Sequence, residues 1–188
     1  MNIKIYKHKK VNERSGTMRV YNIVDEEKKA YFEAMLNYEY KLIYRLGCST
    51  GLRISDIVKM TKDRLDIKEP TITEQKTGKK KRIYIPKALR EELKRHSKQN
   101  KRYIFESASS SSGHITRQAV WKHFKKCAKK AGIEENIGTH TMRKNHAQKL
   151  LKKGKGYKYI KNKLNHTSLA DTLLYLITDE KATKRGRK

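Results

Sequence analysis

The 188-residue chain is poor in several residue types, and each shortage argues against a class of protein. Its two cysteines, Cys48 and Cys127, are 79 positions apart, so we expect buried free thiols rather than a disulfide framework. No run of 18 apolar residues occurs, which argues against a transmembrane helix. No apolar stretch follows the basic residues 1–10, so a secretory signal peptide is not expected.

Acidic residues are also scarce. The chain has 47 Lys and Arg against 19 Asp and Glu, a net charge of +28. Such an excess suits a polyanion: nucleic acid is the first candidate and an anionic membrane surface the second. Residues 25–46 are nearly balanced, whereas 117–130 carry six bases and 143–163 carry nine, both without an acid. We therefore predict one concave basic surface in the middle and C-terminal half.

The spacing of apolar residues predicts a mainly α-helical α+β fold with one small antiparallel sheet. Period-two patterns at 70–75 and 82–85, on either side of a turn at 76–79, predict a β-hairpin. The Ser-rich residues 107–113 predict a flexible loop. The predicted helices cover about 26–36, 38–48, 55–61, 87–99, 117–131, 141–153, 157–164 and 168–176.

Three further expectations concern organisation and packing. Residues 25–178 form one domain, preceded by a basic arm or linker (1–24) and followed by a short basic tail (179–188). The first helix buries a stripe made of Tyr31, Ala34, Met35 and Tyr38. On the helix near 117–130, Trp121 is expected in the core with Val120 and Phe124, rather than as a platform for stacked bases.

Six residues between positions 53 and 175 have side chains that can act on a phosphodiester. His140 and Arg143 are three positions apart at a helix start, so they share one face. Tyr175 follows His166 by nine positions. The full set is Arg53, Lys76, His140, Arg143, His166 and Tyr175.

These residue types form a coherent set for phosphoryl transfer. Arginine forks bind the nonbridging phosphate oxygens, a Tyr hydroxyl can act as nucleophile, and His and Lys can exchange the protons. No carboxylate cluster is visible, which argues against two-metal nuclease chemistry. Taken singly, each residue has a plainer structural explanation, and Lys79 or Arg82 is an alternative to Lys76.

The ordered motifs resemble those of the tyrosine recombinases, also called phage-type integrases. The resemblance spans about residues 25–177. It is carried by Thr50-Gly51-Leu52-Arg53-Ile54-Ser55-Asp56, by Gln75-Lys76-Thr77-Gly78, by His140-Thr141-Met142-Arg143-Lys144, and by Leu164-Asn165-His166 followed by Tyr175.

The resemblance implies a catalytic domain and a role for each residue. Arg53 and Arg143 would clamp the scissile phosphate, and Tyr175 would attack it to give a 3′-phosphotyrosine. Lys76 would protonate the 5′-oxygen, His140 would exchange the proton of Tyr175, and His166 would hydrogen-bond the phosphate. Asp56 would brace the site. Neither metal, ATP nor another cofactor would be needed.

The sequence departs from the family pattern in a few places. Asn165 stands where Gly is common, a mild change because Asn tolerates left-handed backbone. Lys144-Asn145 replaces the common His-Thr. Members usually carry a separate DNA-clamping domain upstream, which 24 residues are too few to form, so the chain is either a fragment or a catalytic-only member.

The resemblance also implies double-stranded DNA as the partner, in a tetramer on two DNA sites, with a monomer or weak dimer in isolation. It implies a cytoplasmic, nucleoid-associated protein and no membrane partner. The sequence identifies neither accessory DNA-bending proteins nor the direction of recombination. We expect the helix at 117–130 to face a DNA groove.

Other functions stay open at this point. A type IB topoisomerase would use the same chemistry to relax DNA, and a regulator could keep the fold without activity. An RNA-binding or ribosome-associated basic protein would not need the ordered motifs. A zinc site at Cys127, His140 and His146 lacks a second cysteine and is disfavoured, so His146 is expected to be structural.

Overall fold

The computed structural model describes residues 21, 23, 25–173 and 176 of the chain. It confirms a mainly helical α+β fold with one two-stranded antiparallel sheet. A short 3₁₀ helix, Lys62–Asp66, precedes the sheet. The elements are α1 Glu26–Met35, α2 Tyr38–Thr50, α3 Ile54–Val58, β1 Thr71–Thr73, β2 Lys80–Arg82, α4 Lys87–His96, α5 Arg117–Lys130, α6 Thr139–Lys152 and α7 Tyr157–Lys163.

Three aromatic rings join α1, α2 and α5 at the centre of the core. Phe32 packs edge-on against Tyr44 and Phe124, with ring centroids 5.3 and 5.7 Å apart. All three side chains are buried. Edge-to-face contacts add to the free energy gained by burying these large apolar surfaces, so they hold the three helices in one cluster.

Two glycines of α2 and its C-cap let α6 approach closely. A Cβ on Gly47 would lie 2.5 Å from Sδ of Met142, and one on Gly51 would lie 2.6 Å from Cδ2 of His146. Both pairs of positions are four residues apart, so they follow one face of each helix. Gly51 also has a left-handed backbone, with φ of 63°, that ends α2.

The predicted hairpin exists, but the bounds of its strands and of the connection between them differ from the prediction. Thr71 pairs with Arg82 and Thr73 with Lys80, so the second strand covers 80–82 rather than 82–85 and the connection is longer than four residues. The pairing ends where Ile83 N–H donates to the carbonyl of Pro70 (3.0 Å), because proline has no N–H for the next bond.

Two packing predictions are wrong. In α1, Tyr31 is exposed and the buried residues at this end are Phe32 and Leu36, so the apolar stripe lies one position further along the helix. Trp121 is not in the core: 47% of its surface is exposed, while Val120 and Phe124 on the same helix are buried. The buried face of α5 is therefore narrower than the predicted apolar face, which included Trp121.

The ends of the chain lie mostly outside the described residues. Of the predicted arm, Tyr21 and Ile23 are described. Both contact α6, since Thr141 Oγ1 donates to the Tyr21 carbonyl (2.7 Å) and Ile23 N–H donates to Asn145 Oδ1 (3.3 Å). The predicted last helix is described as helical at 169–173 and 176, and the tail at 179–188 is outside the described residues.

Two other features bear on the sequence predictions. The serine-rich segment is closed at its base by a bridge between Glu106 and His114 and contains successive turns. None of the helices in the part of the chain that the structure describes is long and apolar enough to cross a bilayer.

The approach of α6 to α2 gives a stability prediction. Alanine favours helix over glycine by about 1 kcal/mol, but Gly47→Ala is expected to destabilise the protein by about 1–3 kcal/mol because the new methyl overlaps Met142. Urea denaturation measures this change. Adding Met142→Ala removes Sδ, the atom nearest the new methyl, and leaves Cβ at 2.8 Å, so the double variant should lose less than the sum of the two single losses. Simple additivity would contradict the close approach.

Candidate active site

Four of the six predicted residues line one cavity of about 690 Å³. Arg53 lies at the start of α3, and Lys76 lies in the connection of the hairpin. His140 and Arg143 come from the start of α6. Residues up to 90 positions apart therefore meet in space. We call this the catalytic cavity.

Arg143 is fixed by the backbone of two other segments. Its guanidinium is buried, and Nη1 donates to the carbonyl of Gly51 while Nη2 donates to the carbonyl of Leu164. The first carbonyl follows α2 and the second follows α7. Because both acceptors are main-chain atoms, the orientation of this arginine is set by the packing of three helices.

Arg53 is held by a carboxylate that the sequence analysis did not single out. It occupies the N-cap position of α3, and its Nη1 donates to Oε2 of Glu74 at 2.6 Å. Glu74 is fully buried and also accepts from the Thr77 hydroxyl (2.9 Å). Burial alone would raise the pKa of Glu74, but its interactions with Asn165, Arg53 and Thr77 outweigh burial and lower the pKa below 4.5.

A second carboxylate ties the hairpin connection to α3. Asp56 Oδ1 accepts from the Gln75 N–H at 3.0 Å, one residue before Lys76. Asp56 is 4% exposed, and its pKa is raised mainly by burial. This hydrogen bond attaches the hairpin connection that carries Lys76 to α3, the helix capped by Arg53, and bracing of this kind is what the sequence predicts for Asp56.

The histidines are held near a concentration of positive charge. The pKa of His140 is lowered by partial burial and by Arg143, Arg53 and Lys76. Burial and the same two arginines lower the pKa of His166 to about 4. Both imidazoles are therefore neutral at pH 7, the form that can accept a proton.

His166 follows α7 and does not line the catalytic cavity. Its Nδ1 is 3.0 Å from the Thr172 hydroxyl, which lies on the next helical segment. Asn165 before it has φ of 49°, the one positive value at a non-glycine residue in the described ranges, and this agrees with the predicted left-handed backbone. Tyr175 lies outside the described residues.

The structure adds three residues to the predicted set. Glu74 was detectable as a lone acid two positions before Lys76. Lys81 is buried, and its Nζ donates to the carbonyl of Thr50 at 3.0 Å. Residues 81, 83 and 85 alternate with exposed residues and are all buried, but the charge of Lys81 hid this pattern in the sequence. Trp121 lines the catalytic cavity and is exposed there.

The disfavoured zinc site has no counterpart in the described segments, where no three potential ligands among His, Cys, Asp and Glu come together. Cys127 instead lies 3.2 Å from the carbonyl of Met35, and His146 Nδ1 lies 3.1 Å from the carbonyl of Cys48. His146 therefore has the structural position expected of it. Both cysteines are free, Cys127 buried and Cys48 partly exposed.

The Glu74–Arg53 pair makes a testable contribution to stability. Glu74→Gln is expected to lower the free energy of unfolding by about 1–3 kcal/mol at pH 7, because a buried charged hydrogen bond is weakened. The loss should be constant above pH 4.5 and shrink below it, since the lowered pKa means that Glu74 stabilises only while it is ionised. Urea denaturation from pH 3.5 to 7 measures both. Glu135→Gln, an equal change at an exposed site, should have little effect, and equal losses would contradict the pairing.

The neutral state of His166 can be observed directly. Its imidazole NMR signals should not titrate between pH 8 and 5, because its pKa is lowered to about 4. Added duplex DNA should raise that pKa, since phosphate neutralises Arg53 and Arg143. Titration of His166 near pH 6.5 in the free protein would contradict the charge arrangement.

This chain is similar to a known protein family and to several of its members. The model of the phage integrase family matches residues 18–181, most of the chain. A Bacillus subtilis protein named "Probable integrase/recombinase YoeC" is 30% identical over 88% of this chain and 87% of its own length. Tyrosine recombinase XerA of Pyrococcus furiosus is 28% identical over 88% of this chain, and XerD of Lacticaseibacillus casei is 28% identical over 72%. This chain spans 60% and 49% of those two proteins.

Solved structures share the fold at lower identity. A crystal structure of XerA recombinase superposes with a TM-score of 0.70 at 19% identity, covering 88% of this chain and 61% of that one. The catalytic domain of bacteriophage HP1 integrase gives 0.64 at 22% identity, covering 88% and 95%. Because the family model covers most of the chain and the fold agrees, this chain belongs to the phage integrase family of tyrosine recombinases and corresponds to its catalytic domain.

Proposed function

We propose that this chain is a site-specific recombinase that cleaves and rejoins double-stranded DNA through a 3′-phosphotyrosine at Tyr175, with residues 25–178 as the catalytic domain. One observation carries the proposal. Arg53, Lys76, His140 and Arg143, from three separate segments of the sequence, line a single cavity. A protein that only binds DNA has no need to place two fixed arginines and a neutral histidine around one point.

The two arginines supply the positive charge that the reaction requires. Arg53 and Arg143 bind the nonbridging oxygens of the scissile phosphate, and their forks are oriented before DNA arrives. Glu74 orients Arg53, and the carbonyls of Gly51 and Leu164 orient Arg143. Donors that are fixed in advance stabilise the negative charge on the nonbridging oxygens in the transition state without reorganising during the reaction. Charge of this kind needs neither metal nor ATP.

The protons move between side chains of the same site. The Tyr175 oxygen forms a bond to phosphorus while the bond from phosphorus to the 5′-oxygen breaks. The phenolic proton passes to neutral His140, and Lys76 gives a proton to the leaving 5′-oxygen. His166 hydrogen-bonds the phosphate. Attack by a 5′-hydroxyl of a second strand reverses these steps and rejoins DNA.

The rim of the cavity suits a DNA groove. Arg117, Gln118 and Trp121 at the start of α5 line the cavity, and the Thr116 hydroxyl caps that helix by accepting from the Ala119 N–H at 3.1 Å. Arginine and glutamine are residues that contact base edges. We propose that α5 faces a groove beside the cleaved phosphate, as the sequence analysis expects.

The assembly and location follow the same proposal. The solved relatives include a lambda integrase dimer bound to a core site and a XerH recombinase bound to a palindromic substrate. We propose a tetramer on two DNA sites, with a monomer or weak dimer in isolation, acting on the nucleoid in the cytoplasm. Relaxation of DNA without synapsis, as in type IB topoisomerases, is the second outcome that this site could support.

Covalent trapping tests the proposal without a known target sequence. The protein is incubated in EDTA with fragmented genomic DNA that carries random nicks, because a nick near the cut lets the short product leave and traps the adduct. Protein-linked DNA is recovered after denaturation, and mass spectrometry locates the modified residue. We expect an adduct on Tyr175.

Matched variants separate chemistry from binding. Tyr175→Phe should abolish the adduct, whereas Tyr157→Phe, which changes an exposed tyrosine outside the site, should leave it unchanged. Arg143→Lys should reduce adduct formation by about 10²-fold or more, because a point charge replaces a bidentate fork. Salt-sensitive DNA binding without any adduct would favour a non-catalytic regulator.

A further inference from the structure

A second cavity, of about 370 Å³, shares none of its lining residues with the catalytic cavity. Its walls are β2 with the residues that follow it, the second half of α6, and α7. We call it the lysine cavity. A water molecule occupies about 30 Å³ in the liquid, so this volume exceeds that of a site for one small ion.

The lining of the lysine cavity carries an excess of positive charge, only part of which is paired with a carboxylate. No Asp or Glu belongs to it, and its cations are Lys81, Arg82, Lys149, Lys153 and Lys163. Arg82 pairs with Glu69 at 2.8 Å. Lys149, Lys153 and Lys163 have no carboxylate partner within the described ranges. Like charges placed around one space repel each other, so this arrangement favours an anion.

The floor of the cavity adds a buried cation. Lys81 is 6% exposed, and its Nζ donates to the carbonyl of Thr50 at 3.0 Å and lies 3.5 Å from that of Gly51. No carboxylate contacts it. Burial, Arg143 and Lys163 together lower the pKa of Lys81 to about 7. An anion above it would stabilise the charged form.

Two exposed tyrosines complete the walls. Tyr84 follows β2 and is 56% exposed, and Tyr159 on α7 is 42% exposed. The ring centroid of Tyr159 lies 5.9 Å from Nζ of Lys163. Phenolic hydroxyls and ammonium groups are both donors to phosphate oxygens, and such contacts position a protein on a nucleic-acid backbone without reading its sequence.

We propose that the lysine cavity is a second phosphate-binding site, which holds the backbone of duplex DNA outside the catalytic cavity. The choice of DNA as the phosphate source rests on the proposed function. A tail from a second copy fits poorly, because residues 179–188 carry five bases and two acids. An acidic protein segment is the competing occupant.

The test compares two variants with equal net charge. The first carries Lys149→Gln, Lys153→Gln and Lys163→Gln, and all three positions are exposed, so folding should be preserved. The control carries Lys68→Gln, Lys98→Gln and Lys101→Gln, exposed lysines that line neither cavity. Affinity for a generic duplex is measured from 50 to 200 mM salt.

The expected result is a selective loss of salt dependence. Each lost phosphate contact reduces the slope of log affinity against log salt by about 0.9. The magnitude of this slope should therefore fall by about 2 to 3 in the lysine-cavity variant and by less than about 0.5 in the control. Duplex DNA should also shift the imidazole NMR signals of His146, which lines this cavity, in the wild type but not in the first variant.

Four results would overturn the proposal. Equal losses in both variants would mean that only net charge matters, and no loss in either would mean that DNA does not enter. Polyglutamate that binds through these lysines more tightly than DNA does would identify an acidic protein as partner. Self-association abolished by the first variant, without a change in slope, would identify an interface between copies.

The outcome of the covalent trapping experiment does not depend on the outcome of the salt-dependence test of the lysine cavity. A selective change in slope without a Tyr175 adduct would leave the second phosphate site standing and refute the cleavage reaction. An adduct with equal slopes in both variants would support cleavage and refute the lysine cavity.

Discussion

The close contact between the end of α2 and α6 at Gly51 determines the geometry of the catalytic cavity. The left-handed turn at this glycine ends α2 and directs the chain to Arg53 two residues later. A side chain there would overlap His146, so the turn and α6 approach as closely as backbone and ring allow. The carbonyl of the same residue accepts from Arg143. Gly51 thus contributes to the position of both arginines, together with Glu74 at Arg53 and the carbonyl of Leu164 at Arg143.

The charges around the cavity then control its histidines. Because Arg53 and Arg143 are both cationic, a protonated imidazole beside them is disfavoured, and burial acts in the same direction. Asp171 and Glu74 offset this effect at His166 only in part, because Glu74 pairs with Arg53, and Asp56 accepts from the hairpin backbone. A phosphate would supply the missing negative charge, so substrate binding and histidine basicity are coupled.

Much of this arrangement could be predicted from sequence, because helices with a regular apolar period and ordered motifs carry strong local signals. Arg53, Lys76, His140 and Arg143 belong to such motifs, and all four line the cavity. The bounds of the two strands were predicted less well, because the pairing ends at Pro70, which has no N–H for a further bond. Trp121 was misplaced and Lys81 was not singled out, since pattern alone does not reveal that Lys81 is buried or that Trp121 is exposed.

The walls of the catalytic cavity differ in mechanical stiffness. On the α6 side, Arg143 is held by helix packing and main-chain carbonyls, so moving it would require separating α2 from α6. On the hairpin side, Lys76 lies in the connection between the two strands of a short ribbon, and this connection is anchored by the side chains of Asp56 and Glu74. A small rotation of this ribbon costs far less than a shift of α6. Under the proposed function, a DNA duplex could therefore displace Lys76 together with the Glu74–Arg53 pair on the hairpin side, while Arg143 keeps its place on the α6 side.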